Sequence, residues 1–215
     1  MPFLIDLHIH SSRYSPCAPT LDPLDIASQL AAKQLNGGVL TEHDQLWPPD
    51  ELKKIQHSFG STIRLYRGAE ISTASGHVVA IGLDELSAVP PGVSLSRLVA
   101  VAREHQAALI YVHPYHSYRG LTIQAHQLLP HQGLHAIEVI SSITQGADTQ
   151  RAAALARQNG LAEVGGSDAH ALAVVGTAAT RFFSRPDDEK TLAQMIIQGQ
   201  CQALTNLNHA DALCL

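Results

Sequence analysis

The sequence has few cysteines, and they lie far apart. Cys17, Cys201 and Cys214 are the only three in 215 residues, and no C-x-x-C pair occurs. Such a set argues against a disulfide framework and against a zinc site built from thiolates. No apolar run is long enough to cross a bilayer. The first charged residue, Asp6, lies too close to the start for the apolar segment of a signal peptide. We therefore expect a cytoplasmic protein.

Positive charge is also in deficit. The chain has 14 Lys and Arg against 19 Asp and Glu, a formal net charge of −5 and a pI near 6.2. We expect no general attraction to nucleic acid or to anionic membranes, and no stable binding of duplex nucleic acid. If a phosphorylated substrate binds, cations inside a cleft must attract it.

Internal repeats, low-complexity tracts and long linkers are absent, which predicts a single domain over residues 1–215. The predicted strands are Phe3–Leu7, Val39–Leu40, Ile63–Ala69, His77–Leu83, Ala107–Val112, Ala136–Ile140 and Leu161–Val164. The predicted helices are Asp22–Asn36, Pro49–Gly60, Leu95–Gln106, Ile123–Leu129, Ala147–Asn159 and Asp187–Gln198. This alternation indicates βαβ units and a parallel sheet. No glycine-rich phosphate fingerprint follows the first strand, which favours a closed barrel over an open nucleotide-binding sheet.

Histidine, in contrast, is abundant, with 13 residues. His8 and His10 end the first strand, and their spacing directs both rings to one face. Other ligand-type clusters also adjoin strand ends: Thr41-Glu42-His43-Asp44, Gly68-Ala69-Glu70-Ile71-Ser72, His77, His113-Pro114-Tyr115-His116 and Gly166-Ser167-Asp168-Ala169-His170. Because strand ends of a barrel share one rim, we expect these residues to converge.

The ligand types narrow the choice of metal. Imidazole and carboxylate without thiolate suit Zn²⁺, Mn²⁺ or Fe²⁺. The candidate ligands are eight residues: His8, His10, His43, Glu70, His77, His113, Asp168 and His170. Because one tetrahedral ion uses only four ligands, two or three ions are expected. Glu70 or Asp168 can bridge two ions. Paired ions activate water and hold the oxygens of a phosphoester, which predicts a metal-dependent phosphoesterase.

In these motifs the chain resembles the PHP (polymerase and histidinol phosphatase) family of metal-dependent phosphoesterases. The ordered set H-x-H-S, T-[DE]-H-D, G-x-E, H-P and G-S-D-x-H carries the resemblance, from about Leu4 to His170. The resemblance implies an α/β fold, a distorted (β/α)7 TIM-like barrel, with two or three metals.

The resemblance also assigns ligands to each ion. The first ion would take His8, His10, Glu70 and Asp168. Glu70 would bridge to a second ion held by His77 and His113, and a third would take His43 and His170. Many family members supply an aspartate or histidine after the H-x-H motif, where this chain has Pro16-Cys17. Cys17 is either a replacement ligand or the mark of a weak or absent third site. Glu42 is expected to support the ligands rather than bind metal. Asp6 and Asp44 are expected either to support the ligands or to cap strand ends.

The expected chemistry is attack by a metal-activated hydroxide, with His170 or His116 donating a proton to the leaving oxygen. Arg13 and Arg119, beside ligand motifs, are candidate substrate contacts, and Arg181 is a third. The histidines away from the strand ends are expected to bind no metal: His57, His105, His126, His131, His135 and His209.

Two other functions remain open. Amidohydrolases also begin with H-x-H and cleave C–N or ester bonds, often with a modified lysine as the metal bridge, whereas here Glu70 occupies that role. A non-catalytic metal-binding module of PHP type is the second. The sequence does not specify the substrate, and nucleotides, short oligonucleotides and small phosphomonoesters all fit.

Overall fold

The computed structural model describes residues 2–60, 62–116 and 133–204. Its strands are β1 (Phe3–Ile9), β2 (Gly37–His43), β3 (Arg64–Thr73), β4 (Gly76–Ile81), β5 (Ala108–Tyr111), β6 (Ala136–Ile140), β7 (Ala162–Gly165), β8 (Ala179–Phe182) and β9 (Cys201–Leu204). Its helices are α1 (Pro23–Ala32), α2 (Pro49–Ser58), α3 (Leu95–His105), α4 (Ala147–Gln158) and α5 (Glu189–Ile197). The predicted helix Ile123–Leu129 lies outside the described residues.

The nine strands form one sheet in the order β7-β6-β5-β4-β3-β2-β1-β8-β9. At one end of this order, β7 also approaches β8, the strand beside the other end strand, β9. The amide of Gly165 donates to Thr180 Oγ1 at 2.8 Å, and the Thr180 hydroxyl donates to the Gly165 carbonyl at 2.9 Å. A Cβ on Gly165 would lie 2.7 Å from the carbonyl oxygen of Ala179, so the close approach requires glycine. The sheet is therefore a nearly closed barrel in one domain, which confirms the predicted fold class.

The prediction of a parallel sheet was wrong for part of the barrel. Strand β4 runs antiparallel to both β3 and β5, and β8 runs antiparallel to β1 and β9. Ala74 and Ser75 form the turn between β3 and β4, and two residues are too few for a parallel crossover. This hairpin places the start of β4 beside the end of β3, with His77 opposite Ser72. His77 thereby reaches the rim formed by the carboxyl ends of its neighbours.

Helix α1 begins as the sequence predicts but ends early. The Asp22 side chain accepts a hydrogen bond from the amide of Leu24, and Pro23 opens the helix. Gln34 then adopts a left-handed conformation with φ of 59°, so the helix ends at Ala32 rather than at Asn36. The early end frees Asn36, whose side chain accepts from the amide of Leu4 and fixes the start of β1.

Apolar side chains are buried in three groups. One packs β3 to β6 against α3 and α4, a second joins strands around the barrel with α5, and a third packs β1 and β2 against α1 and α2. Burial of this apolar surface is the main stabilising term. It holds fixed the strand ends from which the polar clusters project. No helix in the described ranges has both the length and the apolar character needed to cross a membrane.

Candidate metal centre

The predicted ligands meet around Glu70, which is 1% exposed. Five imidazoles surround its carboxylate. The nitrogens of His77 and His113 lie 2.7 and 3.0 Å from Oε1, and those of His43, His10 and His8 lie 3.0, 3.3 and 3.5 Å from Oε2. The side chains come from β1, β2, β3, β4 and the segment after β5. These five segments converge at one end of the barrel, although most of them lie far apart in the sequence.

Among the residues that the structure describes, the buried Glu70 Oε2 atom has no hydrogen-bond partner. The nearest ring nitrogens approach it without hydrogen-bond geometry. An unsatisfied buried carboxylate oxygen costs free energy unless something else compensates it. A divalent cation placed between this oxygen and the surrounding imidazoles is such a compensation, and the donor set fits it.

Asp168 and His170 approach from the segment after β7. Oδ1 of Asp168 lies 3.5 Å from His8 Nε2 and 3.4 Å from His10 Nε2. Ala169 fixes this arrangement, because its carbonyl accepts from the His10 amide and its own amide donates to the carbonyl of His8. Asp168 has φ of 53°, a left-handed conformation that is uncommon outside glycine. Backbone pairing therefore places the carboxylate opposite the two rings of the H-x-H motif.

Asp6 holds the same segment through its buried carboxylate. Its carboxylate accepts from the amides of Ser167 at 2.7 Å, Gly176 at 2.9 Å and His8 at 3.2 Å. Burial raises the pKa of Asp6 to about 6, although the hydrogen bonds oppose the shift. Asp6 thus connects the H-x-H strand to the Gly-Ser-Asp loop. A supporting role for Asp6 at the metal centre stays a prediction.

Asp44 plays the corresponding part beside Glu70. Its amide donates to the carbonyl of Glu70 at 2.9 Å, and its Oδ1 accepts from the amide of Ser72 at 2.8 Å. Asp44 also has a positive φ of 50°. It therefore holds the backbone from Glu70 to Ser72, directly after the central carboxylate.

Glu42 organises the loop that follows β1. Its carboxylate accepts from the hydroxyls of Ser11 and Ser15 and from the indole N–H of Trp47, the last at 2.8 Å. All four side chains are buried. The Ser15 hydroxyl also lies 3.3 Å from His10 Nδ1, so this network reaches a predicted ligand.

The charges of the ionisable groups at the centre shift one another's pKa values. Burial lowers the pKa of His8, but the charges of Asp168, Glu138 and Glu70 outweigh it and raise that pKa well above its ordinary value. Burial likewise raises the pKa of Glu70, but the charge of His8 and hydrogen bonds from neighbouring imidazoles outweigh it, and that pKa lies well below its ordinary value. Protons and cations therefore compete for the same atoms.

Four groups of residues bring ligand atoms within 4.8 Å of one another. They are His8 with His10 and Asp168; His8 with Glu70 and His113; His43 with Glu70 and His77; and His10 with Cys17, His43 and His170. Together they contain all eight predicted ligands. Such groups of imidazole and carboxylate suit divalent metal ions.

Glu138 is a part of the centre that sequence reasoning missed. It lies on β6, is 1% exposed, and its Oε2 is 2.9 Å from His8 Nδ1, while Oε1 accepts from the amide of His113 at 3.3 Å. The available signal was one carboxylate in the otherwise apolar run Ala136-Ile137-Glu138-Val139-Ile140. A buried charge in a strand requires a partner, and here the partner is a ligand ring.

We expect Glu138→Gln to weaken metal binding about 10- to 100-fold, as is typical when the carboxylate behind a ligand histidine is lost. Glutamine keeps the size of the side chain but removes the charge that orients His8 and raises its basicity. Calorimetric titration of the metal-free chain would measure the change. Glu163→Gln, on the next strand and paired with Arg157 at the surface, is the matched control. Equal affinities in both variants would contradict this role.

A cavity of about 380 Å³ opens over the centre. Its lining combines ligands with apolar and hydroxyl side chains: His43, Glu70, His77, His113, His116, Ser142, Ile143, Asp168, His170, Ala171 and Val174. His116 and His170, the predicted proton donors, both face it. No lysine or arginine is among the described residues that line it.

The predicted substrate arginines are placed differently. Arg13 is 60% exposed and pairs with Glu51 at 2.6 Å, and it does not line the cavity. Arg181 lies on β8, opposite Leu4 and Gln202, and does not line the cavity either. Arg119 falls outside the described residues. A substrate contact for any of them stays a prediction.

The other histidines within the described ranges have local partners. His57 Nδ1 lies 2.7 Å from the carbonyl of Lys53, His105 pairs with Asp84, and His135 Nδ1 accepts from the amide of Leu109. The remaining three lie outside the described residues: His126, His131 and His209.

The PHP-associated family model matches residues 146–201. Among solved structures, PsfC from Pseudomonas syringae shares 24% identity and a TM-score of 0.71, over 95% of this chain and 92% of that one. A two-domain protein from Bacteroides vulgatus, containing a predicted PHP-like metal-dependent phosphoesterase, shares 18% identity and a TM-score of 0.71, over 95% of this chain and 65% of that one. No curated protein sequence matches this chain significantly.

A third similar structure is Endonuclease Q in complex with a 27-mer duplex that has an abasic lesion at the active site. It shares 16% identity and a TM-score of 0.63, over 94% of this chain and 58% of that one. At these identities the similarities establish the fold. They give no support to the expectation that duplex nucleic acid is excluded, because a protein with this fold binds it.

Proposed function

We propose that this chain, which belongs to the PHP domain family, is a metal-dependent phosphoesterase that hydrolyses a phosphate mono- or diester. The observation that carries the proposal is the buried Glu70 carboxylate, surrounded by five imidazole nitrogens at 2.7–3.5 Å. A structural ion pair needs one or two partners. Five rings around one carboxylate instead suit a bridge between cations.

The residues divide into three ligand sets. The first ion would be held by His8, His10, Glu70 and Asp168; the second by Glu70, His77 and His113; and the third by His43 and His170. When bound, such ions neutralise phosphate charge and lower the pKa of water. Zinc, manganese and iron all suit imidazole and carboxylate donors.

The cavity lining suggests how a substrate is oriented. Because no cationic side chain is among the described lining residues, the phosphate would be drawn to the ligand side. Ile143, Ala171 and Val174 form an apolar wall that suits the organic part of a substrate. The wall and the ligands together would fix the scissile bond near the centre.

His170 and His116 are assigned the transfer of a proton to the leaving oxygen. Both line the cavity. Burial lowers the pKa of His170, and the charge of His10 lowers it further. A lowered pKa leaves the His170 imidazole mostly neutral near pH 7, which suits a metal ligand and makes His116 the stronger candidate for the proton donor.

The substrate class includes small phosphorylated compounds, nucleotides and oligonucleotides. The net charge of −5 disfavours broad contact with a polyanion, but it does not prevent local binding at the cavity. Duplex DNA therefore belongs among the substrates to test.

A panel of substrates would test the proposal. Chelated protein reloaded with Mn²⁺ or Zn²⁺ is assayed with phosphomonoesters, cyclic phosphodiesters, single-stranded and lesion-containing duplex DNA, and lactones. We expect metal-stimulated hydrolysis of at least one phosphoester and none of the lactones. Turnover of lactones alone would favour an amidohydrolase. No metal-stimulated turnover at all would favour a non-catalytic metal-binding module.

A further inference from the structure

One ligand group differs from the other three in its chemistry. His10, Cys17, His43 and His170 place one ligand atom each within 4.8 Å of one another, and this group contains no carboxylate. Each of the other groups contains Glu70 or Asp168. The sulfur of Cys17 is therefore the only donor in this group that is negatively charged when ionised.

The loop that carries Cys17 is fixed on both sides. Ser15 precedes it, is buried, and hydrogen-bonds to Glu42; Ala18 follows it, is fully buried, and its amide donates to the Ser15 carbonyl at 3.0 Å. Cys17 itself is exposed. Its position beside the three imidazoles thus follows from the anchored neighbours rather than from burial of its own side chain.

The separations are compatible with one ion. Bonds of about 2.3 Å to sulfur and about 2.0 Å to nitrogen bring tetrahedral ligand atoms to within about 4 Å of one another, so a small inward movement suffices. His10 also lies 3.3 Å from Glu70 and 3.4 Å from Asp168 through Nε2. If Nε2 serves the neighbouring ion, Cys17, His43 and His170 remain, and three protein ligands leave one position open.

We propose that Cys17 is a thiolate ligand and makes this third position selective for a softer ion, Zn²⁺, whereas the carboxylate-bridged positions also accept Mn²⁺ or Fe²⁺. Thiolate and imidazole favour Zn²⁺ over Mn²⁺, while carboxylates favour harder ions. The centre would then hold two kinds of metal. This inference rests on the metal centre of the proposed function and adds the identity of one ligand and one ion.

Cobalt substitution tests the sulfur bond directly. Metal-free full-length chain is titrated with Co²⁺, and a thiolate-to-cobalt charge-transfer band is sought in the near ultraviolet. We expect the band in the native chain, its loss in Cys17→Ser, and its retention in Cys201→Ser and Cys214→Ser. Absence of the band at saturating Co²⁺, or its retention in Cys17→Ser, would overturn the proposal.

Competition between metals tests selectivity. Native chain and Cys17→Asp are equilibrated with equal Zn²⁺ and Mn²⁺, and the bound metals are counted by mass spectrometry. Aspartate can still bind a metal, but its oxygen is a harder ligand than sulfur. We therefore expect the total amount of bound metal to stay the same and the preference for Zn²⁺ over Mn²⁺ to fall on the order of tenfold. An unchanged preference would count against the thiolate.

Thiol protection covers the case in which the Cys17 variants do not fold. In the native chain we expect Zn²⁺ to slow alkylation of Cys17 by iodoacetamide, read from the labelled peptide, because coordinated sulfur is a poor nucleophile. Equal rates with and without Zn²⁺ would overturn the proposal. None of these readouts uses hydrolysis. If the chain shows the cobalt band but no phosphoesterase activity, the Cys17 inference stands and the proposed function is wrong. If the chain is active but shows no band, the proposed function stands and the Cys17 inference is wrong.

Discussion

If the proposed phosphoesterase activity holds, we expect Glu70→Gln to lower phosphoester hydrolysis by about a thousand-fold or more, equivalent to roughly 4 kcal/mol of transition-state stabilisation. Glu70 is the carboxylate around which His8, His10, His43, His77 and His113 converge. An amide carries no charge and turns N–H donors toward ring nitrogens, so it cannot bridge two cations. The measurements are kcat and KM, together with the metal content of the purified variant.

The control for Glu70→Gln is the same change at Glu104, which is exposed on α3. We expect Glu104→Gln to match the native chain in rate, metal content and melting temperature. We expect Glu70→Gln to retain less metal even when its circular dichroism spectrum is native. A folded Glu70→Gln variant with full metal content and native kcat would remove the bridging role.

We expect chelation of the proposed metals to abolish hydrolysis and to lower the melting temperature. An ion present at a thousand times its dissociation constant adds about 4 kcal/mol to the stability of the folded state. For a chain of this size, each kcal/mol shifts the melting temperature by roughly 2–4 °C, so one filled site adds roughly 8–16 °C. Differential scanning calorimetry of chelated and reloaded protein measures this shift. An equal melting temperature with and without Zn²⁺ or Mn²⁺ would contradict the metal centre.

The difference in melting temperature between metal-loaded and chelated protein should decrease in acid. Ligand imidazoles must lose their protons to bind a cation. The carboxylates around His8 raise its pKa well above the ordinary value, so protons compete there already near neutral pH. As pH falls, we expect the difference between the loaded and chelated melting temperatures to decrease. The Glu70→Gln variant should show a smaller difference at every pH.

Much of the centre was predictable because its ligands follow a local rule. A ligand type at the end of each strand is visible in the sequence, and the clusters from His8 to His170 were identified in this way. Glu138 was not, because a single carboxylate in an apolar strand is equally compatible with an exposed edge. Only the contact of Glu138 with His8 Nδ1 at 2.9 Å shows that it holds a ligand. Strand direction was missed for a related reason, since pairing between β3 and β4 depends on a short turn rather than on the hydrophobic pattern.

The sequence by itself determined most of the alternation of strands and helices, the candidate ligand side chains and the shortage of positive charge. These properties depend on residue type and short-range spacing, which the chain carries whatever its conformation. The tertiary structure alone decided which ligands share a carboxylate, that β7 meets β8 through Thr180, and that Cys17 stands beside His43 and His170. Distances between remote residues depend on barrel closure and on buried hydrogen bonds such as those of Glu42 and Asp6, and no local pattern encodes them.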